Sequence, residues 1–205
     1  SKGQELLEYS IDISPEPAEI SERVDFFGNY ITRFSIQTEH KTLKVTTRSK
    51  IKRAYAQFQE SFNSDACKSI TMNDALAALN GMHPEILEAK QYILESIFIR
   101  RTDKAIRDYA EVSFKGERSV FEAANELMQR IYTDFDFDSE FSTISTPIEE
   151  VMKEKKGVCQ DFAQIAIACI RSVGLPARYI SGYIETLPAP GKKKLVGADA
   201  SHAWF

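Results

Sequence analysis

The chain has 205 residues, 43% of them hydrophobic, which is enough to bury a sizeable core in one or two domains. Its formal net charge of −4 argues against nucleic acid or an anionic membrane as partner, and no apolar run is long enough to span a bilayer. Three cysteines, few and odd in number, argue against a disulfide framework and fit a reducing, cytoplasmic compartment; no secretory signal opens the sequence.

The first third reads as β. Leu7, Tyr9, Ile11 and Ile13 alternate up to the break at Pro15 and Pro17. DFFGN (25–29) reads as a turn, and Asn29 as turn chemistry. A second run alternates through Tyr30, Thr32, Phe34 and Ile36. A third places Leu43, Val45 and Thr47 on one face against Lys44, Thr46 and Arg48. These strands predict a small antiparallel sheet or sandwich over residues 1–68. His40 lies between strands and reads as a solvated turn residue. Residues 52–80 are transitional: Cys67 reads as a small apolar filler, and Asn73 as a cap for 74–79. His83 precedes a helix beginning near Glu85.

Helices dominate residues 69–205. Thr102 is placed to cap a helix over 103–110. Ser119 and Glu122 form a capping box ahead of the stripe Val120, Ala123, Ala124, Leu127, Met128, Ile131, Tyr132, which is core. DFDFD (134–138) lacks the glycine and distal glutamate of a calcium loop and reads as an edge strand or extended connector. Thr146 and Glu149 suggest a second box with Pro147 at the first helical position, opening a short helix that ends before Gly157.

GVCQDFAQIAIACIRSVGLPARYISGY (157–183) reads as a loop, a buried helix, a stop at Gly174 and Pro176, and a strand. Cys159 falls at the helix N-terminus. Unpaired N–H groups and the dipole favour a thiolate there, where a cysteine pKa drops from about 8.5 to roughly 3.5–7.5. The same groups suit the oxyanion of acyl transfer. DASHAWF (199–205) has strand alternation, and His202 is a candidate to take the thiol proton and return it to a leaving amine. Taken from the residues alone, a Cys–His nucleophile pair competes with purely structural roles for both.

Asp161 lies two residues past Cys159, about 200° around the helix, a poor place for a triad acid; it reads as a carboxylate complementing the helix N-terminus. Gln160 either offers an amide to the oxyanion or is exposed at the helix mouth. Cys169 is expected buried and inert. Arg178 and Tyr179 read as structural, and Tyr183 as a candidate substrate contact. Asp199 falls on the strand face opposite His202, while Trp204 shares the face of His202 and limits water access. The loop 187–194 either steers acidic substrates with its lysines or is simply solvated. A zinc site on Cys159, Cys169 and His202 matches no standard spacing.

GVCQDFA (157–163), RSVGLPARYISGY (171–183) and SHAWF (201–205), with TPIEEV (146–151) and DFFGN (25–29) upstream, closely resemble the bacterial branch of the transglutaminase-like superfamily. The resemblance covers nearly the whole chain. It implies an α+β protein: an N-terminal antiparallel β domain (1–68), then a papain-like cysteine enzyme core (69–205) whose Cys helix packs on an antiparallel sheet carrying the His. It further implies Cys159 as nucleophile, His202 as base, and a triad Asp on the strand after the histidine, beyond Phe205, so that the core is cut short at its C-terminal end. The implied activity is cysteine protease or amidase chemistry through a thioester acyl-enzyme on a peptide or protein substrate, with no cofactor or metal. Protein-glutamine acyl transfer and a non-catalytic binding module on the same fold are the alternatives.

Overall fold

A computed structural model of the protein describes residues 3–53, 64–100, 104–184 and 201–205, with the side chains of Ala66 and Cys67 excepted. The chain divides into two compact units, Ser1–Phe62 and Asn63–Phe205. The sequence readings for Thr102, Asp199, the loop 187–194 and the Cys67 side chain lie outside the described residues.

In the first unit, β1 (Gln4–Ser14) pairs antiparallel with β4 (Lys44–Arg53), and β2 (Glu19–Val24) with β3 (Tyr30–Ser35). The result is two two-stranded ladders rather than one continuous sheet, and β2 is a strand the sequence reading passed over. The β2–β3 turn follows from DFFGN. The Asp25 carboxylate accepts the N–H groups of Phe27 and Asn29, both at 2.8 Å, and the Asn29 amide at 3.0 Å. Those bonds hold its pKa below the ordinary carboxylate value, those of Asn29 foremost. Gly28 supplies the positive φ (+81°) that closes the loop. No described residue of this unit is buried.

The second unit is built from α1 (Asp65–Ser69), α2 (Met72–Ala78), α3 (Pro84–Lys90), α4 (Lys104–Ser113), α5 (Val120–Asp134), α6 (Ile148–Glu154) and α7 (Cys159–Ser172), with short strands β5 (Asp136–Phe137), β6 (Lys156–Gly157), β7 (Ile180–Gly182) and β8 (His202–Trp204). The helix over 103–110 appears as α4, and the cap of α5 is Ser119, whose hydroxyl accepts Glu122 N–H at 3.1 Å. Two expected caps are corrected. Thr71, not Asn73, caps α2 in a reciprocal box with Asp74, because Asn73 already lies inside the helix and turns its amide to Glu117. Pro147, not Thr146, is the N-cap of α6, since the Thr146 hydroxyl is taken by Thr143 N–H at 2.9 Å.

Helix α7 organises the unit. Residues 163–170 are all buried, and the helix packs against α4, α5, α6 and β8. A helix apolar all round belongs in the middle of a core. Ile106 of α4, Leu127 of α5 and Val151 of α6 share one core cluster with Ile165 and Ile167, all with no exposed surface. The helix stops as expected at Gly174, whose φ is +86°. Leu175 N–H bonds Ile170 O at 3.2 Å and Gly174 N–H bonds Arg171 O at 3.0 Å, a Schellman motif closed by the buried Leu175 side chain. At the other end DFDFD forms the extended connector: Asp136 N–H bonds Lys155 O (2.8 Å) and Asp138 N–H bonds Gly157 O (2.9 Å), fixing the chain just before Cys159.

Candidate active site

Cys159 is the first residue of α7, half-buried, with a free thiol. The first backbone bond of the helix runs from Phe162 N–H to Val158 O at 3.1 Å, so the N–H groups of Cys159, Gln160 and Asp161 have no acceptor within the helix. They form the positive end of a 14-residue dipole around the sulfur.

Asp161 occupies the third helical position and is 2% exposed. One carboxylate oxygen, Oδ2, accepts both Val158 N–H at 2.8 Å and the Ser142 hydroxyl at 2.5 Å. The expectation that this carboxylate complements the helix start is met, through a bond back to the residue before Cys159. Gly157 makes room for it: a Cβ there would lie 2.7 Å from Asp161 Oδ2 and 2.9 Å from Asp161 Cβ. Glycine at 157 is therefore a packing requirement, and its φ is not positive.

His202 is half-buried on β8, opposite Gly182 of β7, and β8 packs against α7. Trp204, 38% exposed, leans its indole across Gly182, where a Cβ would come within 3.0 Å of the ring. Gly182 thus seats an aromatic next to the histidine position. Gln160 is half-buried at the helix mouth, and Tyr183 is 73% exposed just past β7. Tyr179, read from sequence as structural, borders the same site. Burial raises its pKa first, and the charges of Cys159 and Asp161 raise it further. No local sequence signal distinguishes it from any tyrosine opening a strand.

Two family models match the chain. The transglutaminase-like superfamily model covers residues 107–205, and the bacterial transglutaminase-like N-terminal region covers residues 1–52. The chain belongs to the transglutaminase-like superfamily. Uncharacterised proteins of Mycobacterium tuberculosis H37Rv and Mycobacterium bovis share 37% identity over 204 residues, 98% of this chain and 62% of theirs. A Mycobacterium leprae relative, also uncharacterised, shares 26% over 185 residues, 89% of this chain and 60% of its own. This chain thus spans less than two thirds of the length of these relatives. A crystal structure of a "Putative Cysteine Protease" from Cytophaga hutchinsonii superposes over all of this chain and 62% of its own with a TM-score of 0.72; at 20% identity that likeness establishes the fold.

Behind α7 this transglutaminase-like core holds a charged aromatic stack. Lys155 ends α6 at φ +56°, with its ammonium 4.3 Å from the ring centres of both Tyr109 and Phe135. Arg130 also lies 3.9 Å over the Tyr109 ring, whose hydroxyl donates to Asp134 at 2.8 Å. Burial lowers the Lys155 pKa and raises that of Tyr109. Phe135 in turn meets Phe162 of α7 edge-on at 5.8 Å. Cys169 is fully buried, its Sγ 3.7 Å from Ile106 O, and burial pushes its thiol up to about 12. Its burial is as the sequence suggested. Ten residues separate it from Cys159, about 15 Å along the helix, so the two thiols do not converge on one ion. Among the described residues no group of three or more His, Cys, Asp or Glu is placed to hold a metal, and no helix is long and apolar enough to cross a membrane.

Proposed function

We propose that this chain carries the nucleophile and base of a cysteine hydrolase of the protease or amidase type. The observation that carries the reading is the position of Cys159 in the first turn of a buried helix against which the strand bearing His202 packs. His202 takes the thiol proton, and the Cys159 thiolate adds to a peptide or carboxamide carbonyl. The oxyanion is held by first-turn N–H groups, that of Cys159 among them. Collapse breaks the C–N bond, His202 protonates the departing amine, and a thioester remains on Cys159. Water, deprotonated by His202, then adds to the thioester and releases the acid. A lysine amine in place of that water would give the cross-linking reaction of a protein-glutamine acyltransferase by the same steps.

Iodoacetamide alkylation at graded pH tests the pair. One thiol is expected to react fast below pH 7, to vanish in Cys159→Ala and to slow in His202→Ala. Cys169, with its thiol at about 12, stays unlabelled in the folded protein across that range. Equal rates at Cys159 with and without His202 would overturn the pairing.

A further inference from the structure

A carboxylate almost wholly shielded from water is costly unless its oxygens are bonded, so Asp161 beside the nucleophile demands a reason. Its surroundings supply one. Three stretches of chain converge on it: the loop 138–146 through Ser142, the entry segment through Gly157 and Val158, and the first turn of α7 to which it belongs. One oxygen takes a hydroxyl from the first and a backbone N–H from the second. The N–H it holds is that of the residue preceding Cys159. Gly157 presses on the carboxylate so closely that any larger residue would dislodge it.

We infer that Asp161 is a positioning residue for Cys159: with Ser142 it latches the loop 138–146 and the Val158–Cys159 turn together, fixing where the sulfur and the first-turn N–H groups point. The inference rests on Cys159 being the nucleophile proposed above. The latch is a matter of bonds accepted rather than of charge. Phe141, the neighbour of Ser142, packs against the core and ties the same loop to it.

The test compares Asp161→Ala, Asp161→Asn and Ser142→Ala in the full chain, reading the pH profile of iodoacetamide alkylation at Cys159 alongside a thermal melt. Asparagine keeps an oxygen for Val158 N–H and Ser142 but loses the charge. Asp161→Ala is expected to slow alkylation at pH 6–7 by about tenfold and to shift its midpoint upward, as a misaligned turn gives up its hold on the thiolate. Asp161→Asn should stay within about threefold of the parent, and Ser142→Ala should fall between the two. A folded Asp161→Ala protein with the parent profile overturns the latch. So does an Asp161→Asn protein as slow as the alanine variant, since charge would then be the agent. If Asp161→Ala does not fold, Ser142→Ala decides: slowed alkylation supports the latch, and the parent rate overturns it. Failure of the Cys159–His202 reading shows separately, as an unslowed His202→Ala protein.

Discussion

The two units of the chain are held together by different means. In residues 3–53 the strands pair through backbone ladders and cross-strand charges, and no described side chain is buried. Arg48–Asp12 (2.5 Å) and Lys50–Glu8 (2.9 Å) bridge β1 to β4, but all four side chains are about two-thirds exposed, and such pairs are worth roughly 0.2–1 kcal/mol. In the second unit eight consecutive residues of α7 are buried, and each large apolar side chain enclosed there contributes about 1.5–3 kcal/mol. Packing strength is concentrated on the helix whose first residue is Cys159. A nucleophile at Cys159, as proposed above, would be mounted on the best-packed element of its unit, which holds it in place.

Equal truncations in the two units give the sharpest contrast. Leu127→Ala, at a position with no exposed surface, is expected to lose about 2–5 kcal/mol in chemical denaturation. Leu6→Ala, at a β1 position 51% exposed, should lose less than about 0.5 kcal/mol. Comparable losses would erase the distinction between the units. A smaller effect probes the stack behind α7. Lys155→Ala gives up two ring contacts while keeping a side chain at positive φ, and should cost about 1 kcal/mol. Lys155→Gly loses the same contacts but relieves the backbone, and should stay within about 0.5 kcal/mol of the parent. If alanine and glycine behave alike in thermal melts, the left-handed cap is not strained.

What the sequence disclosed was local, and what it hid was long-range. Helix α7 was legible because its apolar period, Gly174 and Pro176 all lie within a short window. The Asp25 turn and the Ser119 cap were legible for the same reason. β2 was passed over because Glu19, Glu22 and Arg23 dilute the alternation of Ile20 and Val24. Thr146 looked like a cap until its hydroxyl was seen to serve Thr143 instead. The bond from Ser142 to Asp161 joins residues 19 apart, and the Lys155 stack draws on three helices and a connector; no periodicity announces either. Tyr179 reached the site only once the strand after α7 was placed.

The central claim is that Cys159, assisted by His202, becomes acylated. The measurement that meets it head-on is mass spectrometry of the protein quenched in acid after mixing with p-nitrophenyl acetate. The account predicts one acetyl group on the peptide containing Cys159, lost in Cys159→Ala and formed about 100-fold more slowly in His202→Ala. Acetylation spread over lysines, with Cys159 unmodified, would contradict it.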